Sequence, residues 1–306
     1  VLTLLAIVLG FVLGNVLQPG AGISPPHVAE AQAPPAPPAK ESFWVRIFPT
    51  SVIDAMARGD ILQIVIFSLL FAGAIAAIGE RGRPVINVCS SLAEVMYKFT
   101  HYVMAVAPLG VLGAVAAIVG RHGIAVVKDF VKLTLAIYGG MSVLVLVVFG
   151  LVAVGFRLPL GSFARAVREP FAIAFATTSS AAALPKAMEA MEGYGVPRRI
   201  VAFVLPTGYS FNMCGSALFL GVTALFVAQA YRVPLSLGQQ AALLLTLFVV
   251  GKGVPLVPRG SLIVLVAGLN SFAFPPEVVA QAFGVLLAVD QILDMPRTGV
   301  NVIGNC

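Results

Sequence analysis

The last apolar stretch of the chain carries five polar residues on one helical face. The run AFGVLLAV leads directly into DQILDMPRTGVNVIGN. Polar residues of that stretch follow one another at steps of four, three, four and four, namely Asp290, Asp294, Arg297, Asn301 and Asn305. These steps place all five side chains on the same side of a helix. Each charge at the middle of a bilayer costs roughly 2.5–3.5 kcal/mol, so a membrane helix of this kind uses its polar face at a cavity or a ligand. The alternatives are a salt bridge between helices, or a helix end that has already reached water.

Composition places this helix in a membrane protein. Hydrophobic residues make up 59% of the chain and charged residues 10%, and the mean hydropathy is +1.00. A soluble domain carries about 25% charged residues, so the soluble classes are excluded. The net charge of +6 is expected to set the topology in the lipid bilayer and does not indicate nucleic-acid binding.

The sequence shows no catalytic or metal-binding set. Its three cysteines lie in or beside apolar segments at spacings that match no metal or redox motif, and its three histidines are scattered. No nucleophile, base and orienting residue combine, so we predict that the protein is not an enzyme and has no cofactor. An intramembrane enzyme would need His101 or Cys214 to be activated by a partner that the spacing does not supply.

The second half of the chain alternates short apolar runs with breaks rich in glycine, proline and small polar residues. Several of these runs fall short of the roughly 20 residues that span a bilayer, which favours re-entrant helical hairpins, although each one alone would also suit a kinked helix. We predict a hairpin at 160–193, a broken helix at 197–230, a second hairpin at 239–274 and a polar helix at 277–306. Paired, interrupted segments in two repeats are typical of secondary transporters.

The first half, residues 1–156, consists mainly of apolar runs that predict membrane helices. Residues 18–41 are rich in proline and alanine and predict an extended extracellular loop. The chain starts inside an apolar run and stops without a tail, so we expect it to be truncated at both ends.

Four motifs resemble the signature elements of one transporter family. ATTSSAAALP, PTGYSFNMCGS, GKGVPLVP and DQILDMPRTGVNVIGN are similar to those of the dicarboxylate/amino acid:cation symporter family, the family of glutamate/aspartate transporters and bacterial C4-dicarboxylate carriers. The resemblance implies an all-α integral membrane protein of the glutamate-transporter-like fold, with two re-entrant hairpins and inverted repeats. It also implies a homotrimer in the bacterial inner membrane, in which a transport domain moves like an elevator against a scaffold.

The resemblance also divides the chain into domains. Residues 1–156 would form mainly the scaffold, with part of the transport domain and without the family's first two helices. Residues 157–306 would form the core of the transport domain, with its last helix cut short. The implied function is symport of acidic amino acids such as aspartate and glutamate, or of C4-dicarboxylates.

The resemblance assigns the substrate site residue by residue. Arg297 would bind the side-chain carboxylate of the solute with its planar fork. Asp294 would receive an amino group, which favours an acidic amino acid over a plain dicarboxylate, and Asp290 would support the pair. Thr298 and Asn301 would hold the α-amino and α-carboxylate ends. The hairpins and the broken helix would add further contacts from Ser180, Ser216 and Val257.

The implied cation site departs from the family pattern. Cys214 stands where sodium-coupled members have Asp, and Asn305 stands where they have another Asp. Because carboxylates supply most of the charge that holds a hard cation, two anionic ligands are missing. We expect the side chains of Lys252 and Arg259 to snorkel to the membrane surface. The implied ligands are carbonyls and neutral oxygens of Gly208, Ser210, Asn212, Met213, Asn301, Asn305, Gly251, Lys252 and Val254.

Several alternatives stay open at this point. The coupling ion is Na+ or H+, with a proton carried by Asp294 or Asp290 if burial raises the pKa, and uncoupled exchange is a third option. A channel would also use a polar stripe, although the pairing of Arg297 with Asp294 suits a zwitterionic solute better than a file of ions. The missing ends and the substituted cation ligands also leave room for an inactive fragment.

Overall fold

The computed structural model describes most of the chain: residues 1–22, 51–58, 61–105, 126–253, 259–272 and 274–306, and positions 109, 112–113, 116 and 120. Regular structure in these ranges is entirely helical, which confirms the all-α prediction. The inverted repeat and the domain division stay predictions. Most of the predicted loop at 18–41, and the predicted contact residues Val254 and Val257, lie outside the described residues.

The helices in the first half of the described chain range from six to 23 residues in length. They are α1 (Leu2–Leu17), α2 (Val52–Arg58), α3 (Ile61–Ala77), α4 (Arg83–Ala105), α5 (Val126–Val143) and α6 (Gly150–Gly155). A π-helical segment, Leu144–Phe149, joins α5 to α6 without a break in the chain direction.

A helical pair begins the second half. Helix α7 (Leu160–Thr177) packs against α8 (Ser180–Tyr194), and two residues separate them. The first, Thr178, takes the left-handed conformation at φ 52°. The second, Ser179, caps α8, since its hydroxyl oxygen accepts a hydrogen bond from the Ala182 N–H at 3.3 Å. The small polar residues of this turn therefore end one helix and start the next.

The next two helices are separated by a short break in a long apolar segment. Helix α9 (Arg198–Phe211) ends at Asn212, and α10 (Cys214–Ala230) starts after Met213. All residues of α10 are buried except Gln229, which is partly exposed. A helix that is apolar on all sides and covered on all sides forms the centre of a bundle.

The chain ends in a further pair and one long helix. Helix α11 (Leu237–Val250) continues into a 3-10 turn at Gly251–Gly253, and α12 (Gly260–Ser271) follows after residues that the structure does not describe. The last helix, α13 (Pro276–Asn305), carries Pro296 in its interior. Among the described residues, three stretches are long and apolar enough to cross a membrane, namely Phe130–Gly155, Arg198–Ala230 and Pro276–Asn305.

Helix α10 is the centre of the main core and packs against α1, α5, α12 and α13. Two glycines allow α1 to approach it closely. A Cβ atom on Gly10 would lie 2.3 Å from the Leu218 carbonyl oxygen, and one on Gly221 would lie 2.7 Å from the Ile7 carbonyl oxygen. Small residues of this kind let membrane helices pack backbone against backbone.

A second, smaller core joins α7, α8 and α9 to the end of α13. Its buried residues include three alanines, Ala174, Ala183 and Ala187, and Val302 contributes from α13. On the same side of α13, the ring of Phe171 lies so close to Gly299 that an added Cβ would be 2.4 Å from it. Helix α13 is therefore shared by both cores, and its polar stripe lies between them.

Candidate functional site

The first four residues of the polar stripe of α13 are buried, together with Thr298, and Asn305 at the helix end is partly exposed. Asp290, Asp294, Arg297, Thr298 and Asn301 each expose no more than 4% of their surface. A helix end that had reached water would leave these side chains exposed, so that interpretation fails. Charged groups buried to this degree must be paired with one another or with other polar groups.

Arg297 lies between two carboxylates of its own helix. Its Nε donates a hydrogen bond to Asp294 Oδ1 at 3.0 Å, and its Nη1 donates to Asp290 Oδ1 at 3.3 Å. Its Nη2 is also 2.8 Å from Asp294 Oδ1, but without the alignment of a hydrogen bond. The guanidinium carbon lies 4.2 Å from the centre of the Phe219 ring, close enough for a cation–π interaction. Asp290 therefore supports the arginine, and the cation is neutralised inside the protein.

Asp294 links α13 to the start of α12. Its Oδ1 also accepts a hydrogen bond from the Thr298 hydroxyl at 2.8 Å, and its Oδ2 accepts one from the backbone N–H of Arg259 at 2.9 Å. The second bond satisfies a backbone donor at the first turn of α12, where negative charge is favoured. The carboxylate thus joins the arginine of the stripe to the region of the second predicted hairpin.

Asn301 ties the stripe to the start of α10. Its Oδ1 accepts hydrogen bonds from the backbone N–H groups of Gly215 and Ser216, at 2.8 and 3.2 Å. Its Nδ2 donates to the Ser216 hydroxyl at 3.0 Å, and the Ser261 hydroxyl of α12 donates to the same oxygen at 3.0 Å. These contacts are possible because Gly215 lets the two backbones meet, since an added Cβ would lie 2.3 Å from the Arg297 carbonyl oxygen.

The break between α9 and α10 forms a second polar cluster. Asn212 donates from Nδ2 to the Gly304 carbonyl at 2.8 Å, while its Oδ1 accepts hydrogen bonds from the hydroxyl of Thr3 at 3.0 Å and the thiol of Cys214 at 3.1 Å. Asn305 donates to the Asn301 carbonyl at 2.9 Å. Neutral side chains and carbonyls therefore converge here, and Cys214 takes part in the hydrogen bonding.

Lys252 adds a positive charge to this cluster. Its ammonium group donates a hydrogen bond to the Phe211 carbonyl oxygen at 3.0 Å and lies 4.5 Å from the centre of the Phe248 ring. Phe211 is the last residue of α9, so its carbonyl lies at the negative end of the helix, where a cation is favoured. The ammonium group turns back to a backbone carbonyl at an exposed helix end, and snorkelling of Lys252 to the membrane surface stays a prediction.

The structure also gives the positions of four other residues that were predicted to bind the solute or the cation. Gly208 lies beside Asn305, whose Oδ1 would be 2.5 Å from a Cβ added at Gly208. Met213 is buried at the break, Gly251 lies in the turn that carries Lys252, and Ser180 is buried at the start of α8. In the described part of the chain, no hydrogen bond joins the Ser180 side chain to α13. The side chain of Ser210, like Val254 and Val257, lies outside what the structure describes.

Comparisons with known proteins decide the family. The profile described as the Sodium:dicarboxylate symporter family matches residues 1–306. The chain belongs to this family. A proton/glutamate-aspartate symporter from Bacillus subtilis (strain 168) is 40% identical over 311 residues, which cover 100% of this chain and 74% of the relative. The corresponding symporter from Escherichia coli (strain K12) is 38% identical over 316 residues, 100% of this chain and 71% of the relative.

Relatives with another substrate name are almost as similar. A C4-dicarboxylate transport protein from Azorhizobium caulinodans is 37% identical over 311 residues, 98% of this chain and 68% of the relative. The resemblance deduced from the four motifs is therefore confirmed. Membership of the Sodium:dicarboxylate symporter family also makes this a membrane protein and agrees with a transporter rather than an enzyme.

Sequence reasoning missed three residues of this symporter-family site. Ser261 joins the Ser216–Asn301 network, Phe219 covers the arginine, and the Arg259 backbone binds Asp294. Ser261 could have been assigned to the site from the sequence, because it directly follows the GKGVPLVPRG stretch and is the first polar residue of α12. Phe219 carried no signal, because one aromatic residue in an apolar helix has no distinguishing pattern.

Proposed function

We propose that this protein is a secondary active symporter for small solutes with two acidic groups, such as aspartate, glutamate or C4-dicarboxylates. The observation that carries the proposal is Arg297, buried between Asp290 and Asp294 on a membrane helix at the point where α10 and α12 meet it. Relatives named glutamate-aspartate symporters and C4-dicarboxylate transport proteins support this substrate class.

The internal pairing suggests how the site exchanges partners. A solute carboxylate binds Arg297 by taking the place of one aspartate oxygen, so the guanidinium group stays paired with and without solute. The exchange avoids a state in which a buried charge lacks a partner, which would cost several kcal/mol. Asp294 is then released from Arg297, and its bond to the Arg259 N–H connects solute binding to the start of α12.

The wider mechanism is also a proposal. The chain functions as a homotrimer in the bacterial inner membrane, and residues 157–306 move as a transport domain against a scaffold formed mainly by residues 1–156. The two hairpins close the site from opposite sides of the membrane in turn. Val257 from the second hairpin and Ser180 from the first complete the solute contacts.

Coupling uses Na+ or H+, and relatives are named proton symporters and proton/sodium symporters. We expect only a weak dependence on sodium, because Cys214 and Asn305 place neutral groups where sodium-coupled members have carboxylates. The test is uptake of labelled aspartate and labelled succinate by full-length protein in proteoliposomes, with the sodium and proton gradients varied independently. If the protein took up neither acid, the proposed function would be wrong. A steep requirement for two or more sodium ions would contradict the expected weak dependence on sodium.

Lys252 offers a test of the coupling site itself. Replacing Lys252 by methionine removes the ammonium group from the Phe211 carbonyl and leaves that oxygen free for another cation. We therefore expect sodium to stimulate uptake severalfold more in Lys252→Met than in the wild type. The matched control is Lys186→Met, because Lys186 is exposed and pairs with Glu189. Identical sodium curves for the wild type and Lys252→Met would exclude this role for the ammonium group.

A further inference from the structure

Arg259 lies beside the polar stripe of α13. It is the N-cap residue of α12, and its backbone N–H donates to Asp294 Oδ2 at 2.9 Å. The residue is only partly exposed, and its side-chain Nε is buried. The Nε of Arg259 therefore lies inside the protein, and snorkelling of the end of this side chain stays a prediction.

The position of Arg259 changes the charge of the site. The backbone N–H of Arg259 binds Asp294 Oδ2 and its Nε is buried, so Arg259 lies beside the Asp294–Arg297 pair. Two arginines and two aspartates therefore lie together, and their formal charges sum to zero when all four groups are ionised. A site with Arg297 as its single cation would instead have an excess of one negative charge, which would favour the ammonium group of an amino acid.

The unsatisfied hydrogen-bonding groups at the site point to anionic ligands. Within the described ranges, the buried donors Arg259 Nε and Arg297 Nη2 have no hydrogen-bond partner, although Arg297 Nη2 forms an ion pair with Asp294 Oδ1 at 2.8 Å. On the two aspartates of the described site, the only acceptor without a partner is Asp290 Oδ2. Buried polar groups are normally satisfied, and exceptions often mark functional positions. Two donors on two separate guanidinium groups are complementary to two carboxylates.

Asp294 is poorly placed to receive a solute ammonium group. Its Oδ2 accepts from the Arg259 backbone, and its Oδ1 accepts from Thr298 and, until a solute carboxylate takes over the guanidinium group, from Arg297. An ammonium group that approached this carboxylate would also approach the positive charge of Arg259. This arrangement lowers the advantage of an amino group that the sequence alone suggests.

We propose that Arg259 is a second carboxylate-binding arginine, which makes this site selective for C4-dicarboxylates over acidic amino acids. The inference rests on the proposed function, since it concerns the choice between two solutes of the same symporter. Arg297 binds one carboxylate of the solute, and Arg259 binds the other. An amino acid loses affinity because its ammonium group meets a guanidinium group of the same sign.

The replacement Arg259→Gly tests this role with little risk to the fold. Arg259 has a φ of 66°, a left-handed conformation that glycine adopts more readily than arginine. Glycine also keeps the backbone N–H that binds Asp294. Arg259→Lys keeps the charge but removes the planar fork. Arg198→Ala is the matched control, because the Arg198 side chain is 87% exposed.

The measurement is competition between unlabelled succinate and unlabelled aspartate for uptake in proteoliposomes that contain the full-length protein. We expect the wild type to prefer succinate, and Arg259→Gly to lower the ratio of succinate to aspartate affinity by about tenfold. Arg259→Lys should fall between the two, and Arg198→Ala should match the wild type. An unchanged ratio in Arg259→Gly, while both acids are still transported, would overturn the role of Arg259 and leave the proposed function intact. Loss of both uptakes in the wild type would instead count against the proposed function.

Discussion

Replacement of Arg297 by alanine is expected to reduce uptake of labelled aspartate and succinate by at least about 100-fold. Arg297 is 1% exposed and is the partner of both Asp290 and Asp294. Removal of one member of a buried ion pair costs about 3–5 kcal/mol, because the charge left behind has no partner. The solute loses its carboxylate partner at the same time. Initial uptake rates in proteoliposomes measure this effect.

Two controls separate binding from folding in this experiment. Arg297→Lys keeps the positive charge but cannot reproduce bidentate carboxylate binding, so it should keep more stability than Arg297→Ala while its uptake stays low. The midpoint of thermal unfolding in detergent reports stability independently of transport. Full uptake by Arg297→Ala would show that the solute binds elsewhere, and the assignment of the stripe would fail.

Gly215→Ala is expected to lower both stability and uptake, although it adds a single methyl group. The new Cβ would lie 2.3 Å from the Arg297 carbonyl oxygen, and a backbone atom cannot rotate away as a side chain can. Overpacking of this kind costs about 1–3 kcal/mol and sometimes more. The displaced backbone also carries Arg297 and the amides that bind Asn301. We therefore expect a lower midpoint of thermal unfolding together with weak uptake.

Gly284→Ala is the matched control for this substitution. Gly284 belongs to the same helix as Arg297, but a Cβ at that position would meet nothing within 4 Å among the described residues. Alanine is also the better helix former, so Gly284→Ala should leave stability and uptake unchanged or slightly improved. If Gly215→Ala were as stable and as active as Gly284→Ala, the close approach of α10 and α13 would not be required.

The polar stripe could be predicted because its chemistry contrasts with its surroundings. Charges inside an apolar run are costly, so the regular spacing of Asp290, Asp294 and Arg297 was informative in the sequence alone. The helix ends near Thr178 and Asn212 were marked by small residues and by a disruption of the apolar pattern. These signals are local in the chain, and the resemblance to a known family rests on the same residues.

The partners across helices could not be predicted in the same way. The bonds from the Gly215 and Ser216 amides to Asn301 depend on how closely α10 packs against α13. Nothing in the sequence near Lys252 or Arg259 indicates whether a long basic side chain extends to the surface or turns inward. Snorkelling is the common behaviour of such residues, and the bonds from Lys252 to Phe211 and from the Arg259 backbone to Asp294 depend on tertiary packing.

The contact between α1 and α10 also sets an order for the assembly of this protein. Thr3 and Asn212, which are hydrogen bonded, lie 209 residues apart in the chain. At a synthesis rate of about 5–20 residues per second, the ribosome needs roughly 10–40 s to produce the second partner after the first. During that interval the face of α1 that carries Gly10 and Gly14 lacks α10, its partner in the folded protein. An apolar helix is stable in the bilayer before its partner is made, because lipid tails solvate its side chains as well as a protein core does.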